Sequence, residues 1–306
     1  MPASSEIVVV DDGSLLALRA AYLEAVSGGA ETFTVVFRKG VRGLDPDVLS
    51  GEVTLVPPGA REPPPLDVVL RSDDVTAFAR LPLAIMGRSV TLDGLAFVGA
   101  LSPPLRITAS RSVLLRKVTV LGANADERRR AVVDLTAAAP EVELSVSGST
   151  FARSGAPDAV LGCYAGSGGW FSRIAIDDTT VVGGTSDSAI AIDAVASLTA
   201  RTSGLGAGSA RVLLRMDWPA KNGEISGCIL SAPEGKLVEI RNAAPIEVDP
   251  VRLTGASRVT SSIGFEADSS VVESPAAALD GEFTAAVGRA AEQLKALDGR
   301  LEALTG

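Results

Sequence analysis

The chain has 306 residues, of which 46% are hydrophobic and only 4% aromatic; it carries a net charge of −9 and no histidine. That balance disfavours nucleic acid, whose binding needs clustered Lys and Arg. The absence of imidazole excludes Ser-His-Asp and Cys-His catalysis and the common zinc sites, so no metal and no cofactor is expected.

Met1 to Glu6 places no basic segment before an apolar run, so no signal peptide is visible. No apolar stretch reaches membrane-spanning length. The expectation is a bacterial-type cytoplasmic protein with no membrane partner, and two cysteines agree with a reducing compartment. Ser14-Leu15-Leu16-Ala17-Leu18-Arg19-Ala20-Ala21 reads as an amphipathic helix, and Thr34-Val35-Val36-Phe37 as the strand after it.

One pattern then recurs between Val90 and Gly255. Apolar residues two apart are followed by small or apolar residues at the fifth and seventh places. Examples are Val90-Leu92-Leu95-Phe97, Val113-Leu115-Val118-Val120, Ile174-Ile176-Thr179-Val181 and Ile246-Val248-Val251-Leu253. The step of two is strand spacing. The residues between the two pairs, such as Asp93-Gly94, Ser147-Gly148 and Ser226-Gly227, are mostly turn formers or charged. A further strand precedes each unit: Leu83-Ile85, Leu105-Ile107, Val132, Val160, Ile190-Ile192, Val212-Leu214, Val238-Ile240 and Ile263-Phe265. A sandwich would need no bend of constant length. Three short strands per turn predict an all-β, right-handed parallel β-helix of about eight coils, stacked at about 4.8 Å.

With these elements the chain resembles, over roughly residues 5–270, the pectate-lyase-like right-handed β-helix superfamily. The resemblance implies that the N-terminal helix plugs the open end of the solenoid. It also implies a choice of chemistries. The polygalacturonase branch uses a Gly-His-Gly motif beside paired aspartates; Asp177-Asp178 is present, but the histidine motif is not. The lyase branch holds Ca²⁺ with acidic residues and uses Arg or Lys as base, on the outer face of the first strand of each coil.

On that face the alternation places Arg106, Val133, Leu135, Leu161, Cys163, Ala191, Asp193, Leu213, Arg215, Glu239, Arg241 and Glu266 outward. The centre is then an apolar row, which on a solenoid calls for a cover. Arg215, Glu239 and Arg241 form a ladder of alternating charge at its end. Asp193, with Asp217 near it, is too little for calcium. Tyr164, Trp170 and Trp218 gather the scarce aromatics beside the same strands, and aromatic platforms bind sugars and peptides. Cys163 and Cys228, two coils apart, lie beyond disulfide reach. The enlarged connections, residues 122–130, 153–158 and 183–188, cluster in the middle coils, where insertions build binding sites.

From Ser274 the composition turns to Ala, Leu, Glu and Arg. Val287, Ala290, Leu294, Leu297, Leu301 and Leu304 step by threes and fours, an a/d seam that marks a C-terminal amphipathic helix. The division is therefore 1–273, β-helix with N-terminal cap, and 274–306, heptad-like helix. The helix either packs on its own solenoid or makes a homo-oligomer through Val287, Leu294, Leu297, Leu301 and Leu304. The expected function is a non-catalytic binding or scaffold protein. It takes a peptide, a protein partner or a small product at Tyr164, Trp170, Trp218, Leu161, Leu213, Arg215, Glu239 and Arg241. The alternatives are a carbohydrate-active enzyme, lyase or epimerase-like, acting on an oligosaccharide, and an assembly unit joined through the terminal helix.

Overall fold

The computed structural model describes residues 5–10, 15–37, 53–79, 83–98, 105–121, 130–152, 156–218, 222–232, 236–240, 252–254, 258–259 and 272–273. Among them the chain is a parallel β-solenoid. About six consecutive turns run from Leu83 to Ser231, and strands before and after them extend each face. Every strand pairing is parallel and joins one turn to the next.

Each turn contributes to three sheets. The first contains Ala131–Ala137, Ala159–Ala165, Ser188–Ile192, Val212–Met216 and Lys236–Ile240 in order. The second contains Val142–Ser147, Phe171–Asp177, Val195–Arg201 and Asn222–Ser226. The third contains the three-residue strands Thr150–Ala152, Thr180–Val182, Gly204–Gly206 and Ile229–Ser231. Where they are described, the repeated apolar positions point inward: Val90, Leu92, Leu95 and Phe97 are buried, as are Val113, Leu115, Val118 and Val120.

The bend between the second and third sheets has one backbone solution. Its second residue is left-handed in six successive turns: Gly94, Lys117, Gly148, Asp178, Thr202 and Gly227 have φ of 69°, 53°, 57°, 46°, 47° and 60°. Three of these turns use a residue with a Cβ where glycine fits best. The residue after the bend is buried and becomes polar in later turns. Ser149 Oγ accepts from Val118 N–H at 3.1 Å, Thr179 Oγ1 from Ser149 N–H at 3.4 Å and Ser203 Oγ from Thr179 N–H at 3.2 Å. Each hydroxyl also donates to the carbonyl two residues before it. This internal ladder satisfies backbone donors that the tight corner removes from the sheets.

At the N-terminus Ser5–Val10 pairs in parallel with Thr32–Phe37, and the helix Leu15–Ser27 is the crossover between them. Leu18, Tyr22 and Ala25, on one helical face, are buried. The Tyr22 ring meets Phe33 edge-on with centroids 5.8 Å apart, and its hydroxyl donates to Met86 O at 2.7 Å. The helix thus rests on the strands of the first turn, as an end cap should.

The facing of the first sheet differs from the alternation read in the sequence. Register aligns Leu105, Val133, Leu161, Ile190 and Leu214, and all five are in the core; Ile107, Leu135, Cys163, Ile192 and Met216 form a second inward column. Val133, Leu135, Leu161 and Cys163 are therefore interior, and so is Leu213. Consecutive residues enter the core where the strands begin, as with Val132-Val133, Val160-Leu161 and Leu213-Leu214. That break in the period-two pattern shifts the facing of everything after it. Both cysteines are free and buried, and burial raises the pKa of each thiol. Arg241, Glu266 and the heptad residues Val287, Leu294, Leu297, Leu301 and Leu304 lie outside the described residues.

Candidate functional site

The corrected register changes the outer face of the first sheet. In place of an apolar row it carries Arg106, Asp134, Gly162, Ala191, Arg215 and Glu239 in one column. Thr108, Thr136 and Tyr164 begin a second column, which Asp193 and Asp217 continue just past the ends of their strands. A third row stands immediately before the strands. Because Ala131, Ala159, Ser188 and Val212 are in register, so are the residues that precede them: Arg130, Asp158, Asp187 and Arg211.

These rows meet at Tyr164. Its ring lies across Gly162, where an added Cβ would overlap the ring carbons. Ala131, Ala159 and Ala191 pack around it, and the Arg130 guanidinium covers it with Cζ 3.7 Å from the centroid. The phenol is 1% exposed and donates to Asp158 Oδ2 at 2.8 Å. Burial, and then the charge of Asp158, push its pKa far up, so it stays a donor.

Arg215 is the centre of the charge network. Its side chain is 3% exposed and is paired with Asp158 through both terminal nitrogens, one of them donating to Oδ2 at 2.8 Å. Nη1 lies 3.5 Å from Asp187 Oδ2. Arg211 joins the next turns, donating from Nε to Asp187 Oδ1 at 2.9 Å and from Nη2 to Glu239 Oε1 at 3.1 Å. Burial alone would lower the pKa of Arg215, but the hydrogen bonds and charge of Asp158 outweigh it and hold the guanidinium protonated.

One corner of this network is incomplete. Arg215 Nε and Asp217 Oδ1 are 3.7 Å apart, shielded from solvent, and neither has a hydrogen-bond partner. Beside them Asp193 accepts from Ala165 N–H at 3.0 Å. Burial raises the Asp193 pKa, the Ala165 N–H opposes the rise, and the charge of Asp217 adds to it. Among the described residues no group of three or more Asp, Glu, Cys or His is placed to hold a metal ion.

The expected site residues divide accordingly. Tyr164, Arg215 and Glu239 do belong to the outer network, whereas Leu161 and Leu213 are core residues. Trp218 is 57% exposed, the one large hydrophobic residue so exposed among those described; its backbone N–H donates to Asp193 O at 3.0 Å. Trp170 is half-buried where the chain enters the second sheet, its backbone bonded to Ala139 and Val142. Arg130, Asp158, Asp187 and Arg211 escaped the sequence reading as a group. Their signal is a charged residue directly before the first strand in four successive turns. No helix among the described residues is long and apolar enough to cross a membrane. Comparison of the chain with protein-family models, with curated proteins and with solved structures finds no match in any of the three.

Proposed function

We propose that the outer face of the first sheet is a binding surface and that the chain is a non-catalytic binding or scaffold protein. The observation that carries this reading is the buried network around Arg215 on the outside wall of the solenoid. Burying ions there adds little stability compared with apolar packing. What it does supply is a rigid, preorganised polar surface with an exposed tryptophan at its edge. The experiment is a binding screen of peptides and oligosaccharides against the parent chain and Trp218→Ala. Ligands whose signal disappears in the variant, with melting unchanged, support the reading. A screen with no such ligand sinks it.

A second reading, a carbohydrate-active enzyme, lyase or epimerase-like, as the superfamily resemblance implies, draws on the approach of Asp193 and Asp217 to Arg215. Against it stand the two groups that would have to act as base: Arg215 and Tyr164 both hold their protons more tightly than usual. Ultraviolet absorbance of an unsaturated product from acidic oligosaccharides tests this directly, and none is expected. The assembly reading rests on the seam from Val287 to Leu304. Light scattering on the full chain and on a chain ending at Ala276 tests it, because an assembly unit falls to monomer on truncation.

A further inference from the structure

The corner that the network leaves open has its own chemistry. Asp193 and Asp217 follow residues paired in register, Ile192 and Met216, so the two carboxylates stand on adjacent turns, about one strand spacing apart. Like charges so placed repel unless something positive reaches them. The terminal nitrogens of the guanidiniums on this face are engaged elsewhere, those of Arg215 by Asp158 and those of Arg211 by Asp187 and Glu239, while Arg130 lies over the Tyr164 ring; the Nε of Arg215 approaches the pair, 3.7 Å from Asp217 Oδ1. That Nε, on a side chain 3% exposed, makes no hydrogen bond. Asp217 Oδ1, its ion-pair partner, is equally without a hydrogen bond. The Asp217 side chain keeps 29% exposure, so the pair lies at the surface end of the buried network. Trp218 stands at the rim with its indole in solvent, its backbone tied to Asp193.

We infer that Asp193, Asp217 and Trp218 form a receptor for a lysine or arginine side chain of a basic peptide, with Arg215 Nε donating to a carbonyl of the same peptide. The inference rests on the proposed binding surface and names its ligand class. An ammonium or guanidinium group supplies the donor that Asp217 Oδ1 lacks and the charge that the pair calls for, and the Trp218 face attracts the same cation. An open Nε–H calls for an acceptor close to that cation, which a peptide backbone carries and a simple amine or metal ion does not. A neutral sugar would leave the pair of charges uncompensated. The acidic chain as a whole, at −9, favours the approach of a positive partner.

The test is titration calorimetry of the full chain with an acetylated, amidated tri-lysine peptide. Tri-glutamate peptide, a neutral trisaccharide and calcium chloride serve as comparators. Binding of the lysine peptide alone is expected, weakening as salt is added. Asp193→Asn/Asp217→Asn is expected to reduce its affinity at least about tenfold, and Trp218→Ala by about fivefold. Melting curves of each variant establish that it is folded, and the exposure of Trp218, at 57%, favours Trp218→Ala in that respect. Equal affinity in the double variant overturns the inference. Binding of the trisaccharide, calcium or the acidic peptide, lost in Trp218→Ala, overturns it while leaving the binding surface intact. No binding of any probe overturns the inference, and failure of the wider ligand screen would then remove the surface reading as well.

Discussion

Tyr164 depends on a residue with no side chain. Because the ring occupies the space above Gly162, Gly162→Ala must displace it and break the bond to Asp158. A loss of about 1–3 kcal/mol is expected from overpacking alone, read from chemical denaturation, with a matching change in near-ultraviolet circular dichroism. Arg215→Met is the harsher change: it takes the guanidinium away from Asp158 and leaves that carboxylate with the Tyr164 hydroxyl but no charge partner of that strength, and about 3–5 kcal/mol is expected. Asp193 acts in the other direction. Its carboxyl is held above the ordinary aspartate range, so the folded chain binds that proton more tightly than the unfolded chain does. Its favourable contribution is present below the ordinary aspartate pKa and is lost as pH rises through the raised one. Asp193→Asn should therefore melt higher than the parent at neutral pH, with the difference closing in acid. A lower melting temperature at neutral pH would contradict this assignment. Asp67 and Asp93 behave oppositely. Their hydrogen bonds to Arg88 and Arg116 hold them below the usual range, and what they contribute above it is lost as pH falls.

At the scale of the element, the bend was legible and the strand before it was not. The bend has constant length, and its flanking pairs, Val90-Leu92 and Leu95-Phe97, keep a strict period of two, so their inward facing follows from spacing. The first strands begin at a corner where two consecutive residues enter the core, as Val160 and Leu161 do. No alternation rule predicts which of the two sets the phase, and the wrong choice turned a charged wall into an apolar one. The short charged row Arg130, Asp158, Asp187 and Arg211 is visible in sequence only after the register aligns it. The bend also offers a stability test. Thr202 holds a left-handed backbone with a β-branched side chain, φ 47°. Thr202→Gly should stabilise the chain by about 1 kcal/mol, seen as a higher denaturation midpoint. Thr179→Val should cost about 1–3 kcal/mol, because it leaves Ser149 N–H without its acceptor in the core.

For the whole molecule, the solenoid makes stability a sum over neighbouring turns. The helix Leu15–Ser27 covers one end, and its Tyr22 reaches forward to Met86. Most of the charge network spans only a few turns, yet Arg215 reaches back to Asp158 across 57 residues of chain. In a stack whose turns touch only those above and below, unwinding begins at an end and moves inward one coil at a time. A single guanidinium that grips a carboxylate two coils away breaks that independence. Fraying that enters from the C-terminal side must either stop at the coil of Arg215 or release three coils at once. Amide hydrogen exchange would then show a step in protection between residues 218 and 236, not a smooth gradient, and Arg215→Met would erase the step.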